Sequence, residues 1–316
     1  MRPLPMRLAL PEIVNADGLL PFLSLIGTGT DAREITLDFG ALRRVSPAAL
    51  VALSAQVSAW RQIGVAVHAD GLDRCSILGY LQRMDLLEVC GFCRPEMFSR
   101  HDARGRFVPV RAIDHRVEEM GSDMALCVAP GGDDWEHPLA GLYDLVWYVL
   151  TEMGNNVRQH SGGTGFVCAQ VGAAEGLVRL AIADNGRGIL RSFREAGLSW
   201  AAGLDDTGAI LKALEPRVSS KGSPTNEGVG LTLTAKMAEL ASAWLLVASG
   251  RGVVRWNPSS GKLHADTLPT AGSYPGTLIA ITFRQDRVRD FAQLLDQAKR
   301  ASGLLRSGEG RARFDA

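Results

Sequence analysis

Leu150-Thr-Glu-Met-Gly-Asn-Asn-Val-Arg-Gln-His-Ser161 closes a long helical pattern that begins near Pro138. At 100° per residue, Leu142, Leu145, Val146, Val149, Met153 and Val157 share one broad apolar arc, which predicts a core-facing helix. Glu152, Asn156 and His160 follow one another at spacings of four. Asn156 and His160 fall inside the apolar arc and Glu152 on its edge, while Asp144, Trp147, Tyr148, Thr151, Asn155 and Arg158 lie opposite. A carboxylate, an amide and an imidazole thus point where the pattern calls for apolar groups. Burying an unpaired amide or hydroxyl costs about 2–7 kcal/mol. Two readings stand at this point: a satisfied polar network at a helix edge, or a site.

Beyond this helix, 164–171 and 177–183 read as two strands of a hairpin around a Gly-Ala-Ala-Glu-Gly turn. By the two-residue period Val178, Leu180, Ile182 and Asp184 share one face, so Asp184 ends a strand on its apolar side. Asn185-Gly-Arg-Gly-Ile189 follows at once. A carboxylate there, with glycines that let a ligand approach the backbone, suits the amino group of a flat base. A plain Asp-Asn-Gly turn is the alternative.

Residues 190–226 form a long insertion with a helix near 206–214 and then Pro216-Arg-Val-Ser-Ser-Lys-Gly-Ser-Pro-Thr-Asn226, which reads as a mobile loop. Glu227-Gly-Val-Gly-Leu231 runs from it into a helix with Val229, Leu233, Met237 and Leu240 on one face. A glycine-rich loop feeding a helix N-terminus offers free N–H groups and the positive dipole end to phosphate. It lacks the Gly-Lys-Ser/Thr of a Walker A loop and the closely preceding strand of a dinucleotide fold. Residues 244–249 and 252–256 read as a tight hairpin. Gly276-Thr-Leu-Ile-Ala-Ile-Thr-Phe283 is a last strand with Thr277, Ile279, Ile281 and Phe283 on one face, and 286–301 a terminal helix.

Upstream, Glu34-Ile-Thr-Leu-Asp-Phe39 alternates as a strand. Ser46 caps a helix that carries Pro47 in its first turn and Leu50, Leu53, Val57 and Trp60 as its apolar positions. Gly64-Val-Ala-Val-His68 is a second strand, and two helices follow over 75–80 and 81–89. This order predicts a small α/β layer domain. From Gly91 to Asp134 the chain reads as a connector with a short edge strand at Phe107-Val-Pro-Val and an amphipathic helix over 114–127.

With 316 residues, the chain has room for about two domains of roughly 150 residues each. Hydrophobic residues make up 46% and charged residues 22%, as in globular proteins with a sizeable core. The formal net charge of zero gives no bulk signal for nucleic acid or an anionic membrane. No apolar run reaches the ~18 residues of a membrane span, and the N-terminus lacks a signal-peptide core, so a cytoplasmic location is expected. Five scattered cysteines make no disulfide framework, and Cys90-Gly-Phe-Cys93 lacks the second ligand pair of a zinc site.

Two resemblances follow. Ile35-Thr-Leu-Asp-Phe39, Val45-Ser-Pro-Ala-Ala-Leu50 and the segments after Arg61 and Leu81 resemble a STAS domain of the anti-sigma-factor-antagonist type. At the strand-to-helix turn, where that family often carries a phosphorylatable Ser, this chain has Ala48. Over about 139–284, Glu152-x-x-x-Asn156-x-x-x-His160 resembles the N box of the GHKL (histidine-kinase-like, Bergerat-fold) ATPases. Asp184-Asn-Gly-Arg-Gly188 and Gly228-Val-Gly-Leu231 resemble their two glycine boxes, and Gly276-Thr277 the strand start that closes the adenine pocket.

The resemblance implies an α/β chain, with a small STAS-like domain over 1–95 and a connector over 96–137. A two-layer α/β sandwich with a mixed sheet would occupy 138–302, and a flexible tail 303–316. It implies ATP and Mg²⁺ as ligands. Asn156 would hold the metal, and Glu152 would orient or deprotonate the attacking group. Asp184 would accept from the adenine amino group, with Thr277 beside it. Gly186 and Gly188 would border the base, and Gly228, Gly230 and Leu231 would wrap the triphosphate. Lys221 either meets a phosphate or is a solvated lid residue, and His160 is structural in this reading.

None of the other His residues sits in a phosphoacceptor helix pair, and only a short segment follows Phe283. On that reading, a histidine kinase or a gyrase-like enzyme is not the expected subtype. The resemblance therefore points to the anti-sigma-factor serine kinases, with protein kinase or slow ATPase activity. The implied partner is a regulatory protein, such as a small STAS-like protein, with self-association as a homodimer and neither membrane nor nucleic acid. A non-catalytic ATP-dependent binding switch is the alternative.

Overall fold

A computed structural model of the chain describes residues 5–28, 31–172, 174–220 and 228–305. The N-terminal unit contains strands β1 (Met6–Ala9) and β2 (Ile13–Val14), helix α1 (Leu19–Ile26), strands β3 (Glu34–Asp38) and β4 (Arg44–Val45), helix α2 (Pro47–Gln62), strand β5 (Ala66–Asp70) and short helices α3 (Leu78–Arg83) and α4 (Leu86–Val89). Strand β3 lies between β1 and β5, parallel to both, and β2 pairs with β4 in a second small parallel sheet. The Ser46 hydroxyl accepts a hydrogen bond from the Ala49 N–H, so the sequence cap is the structural one.

Next come β6 (Phe107–Ala112), α5 (Val117–Val128), α6 (Ala140–Asn156), β7 (Gly165–Gly172), β8 (Leu177–Asp184), α7 (Gly188–Glu195), α8 (Asp206–Ala213) and α9 (Gly230–Leu240). Strands β9 (Trp244–Gly250), β10 (Gly252–Asn257), β11 (Lys262–Thr267) and β12 (Tyr274–Arg284) precede the last helix, α10 (Phe291–Ala301). Seven of these strands form one sheet in the order β11-β10-β9-β12-β8-β7-β6. Every neighbouring pair in it is antiparallel, which corrects the mixed sheet expected from the sequence. The short β7–β8, β9–β10 and β10–β11 connections explain this, because tight turns join only antiparallel strands.

The stretch over 96–137 is not a linker. Strand β6 is an edge of the large sheet, and α5 packs along α6. That contact covers the side of α6 carrying Trp147 and Thr151: a Cβ on Gly121 of α5 would stand 2.8 Å from the Thr151 hydroxyl. Thr151 is accordingly buried.

The second correction concerns layers. On one face of the sheet Val167, Leu180, Ile182, Val247, Ile279 and Ile281 pack against α5, α6, α9 and α10. On the other face Cys168, Ala181, Ala183, Ala248 and Leu278 join the core of the N-terminal unit. Helix α2 lies directly on β7, β8 and β12 there, and the Cys168 thiol approaches the Pro47 carbonyl at 3.4 Å. The expected two-layer sandwich is therefore closed by a third layer. Small side chains on that face meet the alanine-rich surface of α2, whose residues from Pro47 to Val57 are all buried. A helix apolar all round is one buried all round.

Candidate functional site

Helix α6 ends at Asn156 and continues through one π turn, Val157–Ser161. Such turns widen the helix locally. Here the turn brings His160 and Ser161 to the wall of a cleft of about 420 Å³ between α6, the end of β8, α7, α9 and the start of β12. Of the residues singled out in the sequence, Glu152, Asn156, Asp184, Gly188, Gly228, Gly230, Leu231 and Thr277 all line it. Gly186 does not; its N–H donates to Asp184 Oδ1 from behind at 2.8 Å. Lys221 lies outside the described residues, as do 222–227 of the loop that follows it and 306–316 of the tail.

Asp184 is 4% exposed. Desolvation pushes its carboxyl up to about 7, against the opposing N–H donors of Gly186 and Thr277. Gly276 makes this geometry possible. It has φ +80, and a Cβ there would meet the Asp184 carbonyl oxygen at 2.2 Å. Tyr274 closes the back with its hydroxyl donating to that same carbonyl at 3.4 Å.

Glu152 faces the cleft from α6, and its carboxyl is raised by burial. It stands against the first turn of α9: a Cβ on Gly230 would lie 2.2 Å from Glu152 Oε2. Asn156 is one turn further on, with its Nδ2 donating to Met153 Sδ at 3.9 Å, a contact too long to occupy a strong donor. Among the described residues no group of three or more His, Cys, Asp and Glu could hold a metal ion. One amide beside a glycine-lined groove suits a hard cation that takes most of its oxygens from phosphate and water.

The first part of the insertion is pinned to the cleft. The Ser220 hydroxyl meets His160 Nδ1 at 2.7 Å and accepts from the Ser192 hydroxyl at 2.9 Å. Gly228, on the far side of 221–227, abuts Val218: a Cβ on it would meet the Val218 carbonyl oxygen at 2.7 Å. The sequence reading missed the apolar wall formed by Met153, Ile182, Ile189 and Ile279, and Phe193 beside it. Ile182 and Ile279 were within reach, since each lies two residues along its strand from Asp184 or Thr277 on the same face.

Burial of Asp184 links stability to pH. The folded carboxyl holds its proton to about 7, whereas an unfolded one releases it near the ordinary 3.8. Its contribution is therefore full below about pH 4 and is lost as the pH rises toward 7, at up to about 1.4 kcal/mol per pH unit. Urea unfolding of the nucleotide-free protein should show this loss between pH 5 and 7.5, and Asp184→Asn should flatten it. An unchanged pH dependence in the variant would take the assignment away from Asp184.

No family model and no curated protein matches this chain. No helix of the described residues is long and apolar enough to cross a membrane.

Proposed function

We propose that the chain is a cytoplasmic Mg-ATP-binding regulatory protein of the GHKL type, built like the anti-sigma-factor serine kinases and acting on a protein partner. One observation carries this reading. Four segments far apart in the sequence, each chosen for nucleotide chemistry, line a single cleft with a desolvated carboxyl at its floor. The residues fit the nucleotide. Asp184 and Thr277 bound the end suited to a base, and Gly228, Gly230 and Leu231 bound the end suited to phosphates, at the N-terminus of α9. Mg²⁺, when bound, neutralises phosphate charge, and Asn156 is the residue that would hold it. Glu152 would take the proton of an attacking hydroxyl, and burial raises its carboxyl, the direction that makes it the stronger base. The hydroxyl belongs either to water or to a Ser or Thr of the partner, such as a small STAS-like protein. Homodimerisation belongs to the same proposal.

The test is turnover of Mg-ATP by the full chain with and without candidate partners, alongside Glu152→Gln. Turnover that falls by about 10²-fold or more in the variant supports the enzymatic reading. Turnover equal in both forms removes Glu152 from it. Asn156→Ala should weaken Mg-ATP binding much more than adenosine binding in calorimetry. Equal losses for the two ligands would remove Asn156 from the metal role.

The contacts of Ser220 favour a second reading, in which ATP is bound without turnover and serves as a switch. Ser220 ties the lid segment to His160 and Ser192, so a ligand that competes for these hydroxyls has a direct way to move it. Protection of the Arg217 peptide bond from trypsin by a non-hydrolysable ATP analogue, but not by ADP, is expected in that case. Identical cleavage in the free, ADP-bound and analogue-bound forms would leave the switch without a mechanism.

A further inference from the structure

A second cavity of about 520 Å³ opens on the opposite side of the large sheet, in the seam with the N-terminal unit. Arg43 and Arg44 enter it from the N-terminal unit, with Ser46 at the start of α2 and Tyr80 from α3. Gln170 and Arg179, directly paired across β7 and β8, enter it from the sheet. These two occupy the face that carries Cys168 and Ala181, at the point where that face emerges from beneath α2.

The lining includes three arginines and no acidic residue. Arg179 is steadied by Glu175 at 2.6 Å, whereas Arg43 and Arg44 have no carboxylate within ion-pair distance among the described residues. The Tyr80 hydroxyl is shielded from solvent and has no hydrogen-bond partner among the described residues. With Arg179 offset by Glu175, Arg43 and Arg44 are the charges without a counterion, and an anion in the cavity would join them. Their flat forks match phosphate oxygens two at a time.

We propose that this cavity binds a small phosphorylated molecule carrying a diphosphate group, whose oxygens engage Arg43, Arg44 and Arg179. Arg43 and Arg44 take it from the N-terminal unit and Arg179 from the sheet, so the ligand bridges the two layers. Strand β8, which carries Arg179 near one end, carries Asp184 at the other. The site is separate from the nucleotide cleft and does not depend on Mg²⁺.

Calorimetry and thermal melts of the full chain with inorganic pyrophosphate, in EDTA, test the proposal. Saturable binding of about one equivalent is expected, weakening as salt is raised. The double variant Arg43→Gln/Arg44→Gln, altered only at exposed positions, should lose about tenfold or more in affinity. Arg179→Gln, on the sheet side of the cavity, should bind pyrophosphate several-fold more weakly than the unaltered protein. Absence of saturable heat at millimolar pyrophosphate overturns the proposal. So does an affinity unchanged in all the variants, because it would put the anion in the nucleotide cleft or on the surface at large.

Discussion

ATP is expected to bind at least about tenfold more tightly than GTP, and Asp184→Asn to erode most of that preference. The exocyclic amino group of adenine can donate to the Asp184 carboxyl, whereas guanine presents a carbonyl oxygen at the same place. Two acceptors face to face in a site where Asp184 is 4% exposed leave a buried group unpaired. The direction of the pKa shift adds a second signature. In the free protein the carboxyl is held up to about 7, so adenine must engage a group that is partly protonated below that pH. The ionised form is the better acceptor. Affinity for ATP should therefore rise as the pH climbs from 6 to 8, with proton release on binding near the lower end. Fluorescence or calorimetric titrations with both nucleotides at the two pH values measure this directly. Comparable affinities for ATP and GTP in the unaltered protein would remove Asp184 as the base reader, whatever else the cleft binds.

The largest stability effect is expected at Gly276. Alanine there must adopt φ +80 and place its Cβ 2.2 Å from the Asp184 carbonyl oxygen and 2.5 Å from Asp184 Oδ1. The obstacle is the backbone of β8, held between β12 and β7, which cannot turn aside. Gly276→Ala should cost about 3 kcal/mol or more in urea unfolding. Gly230→Ala provides the contrast. Its Cβ would also meet an atom at 2.2 Å, but that atom is Glu152 Oε2, the far end of a flexible side chain. The side chain can swing away, and alanine is the better helix former at the start of α9. Gly230→Ala should therefore fold nearly as well as the unaltered protein while displacing Glu152 and lowering any turnover. Similar stability losses in both variants would show that the Glu152 carboxylate is held in place as firmly as backbone.

Much of the site could be read from local pattern. Period-four polar residues on the α6 arc, the strand that ends at Asp184, the glycine loop before α9 and the start of β12 were all visible. Each is a departure from an otherwise regular period. The alternatives left open by the sequence were about neighbours, and the fold supplies them. Strand β6 and helix α5 were legible as an edge strand and an amphipathic helix, but their place in the large sheet and along α6 was not, because it depends on partners far along the chain. Strand β11 escaped because Lys262-Leu-His-Ala-Asp-Thr267 is mostly exposed and its alternation rests on Leu263 and Ala265 alone. The third layer did leave a mark. In β8, Val178, Leu180 and Ile182 alternate with Ala181 and Ala183, so large apolar groups alternate with small apolar ones. That pattern means a strand covered on both faces, one of them closely.

The same alternation constrains how this chain can diverge. Helix α2 and the strands beneath it meet through alanines and a cysteine, so neither surface has volume to spare. A larger side chain at Ala181 or Ala183 needs a smaller one on α2, and α2 already offers mainly Ala48, Ala49, Ala52 and Ala55. The halves are therefore not interchangeable modules. A swap that joined this N-terminal unit to another sheet would bring together surfaces that had not been fitted to each other, and descendants of this chain should inherit both halves together.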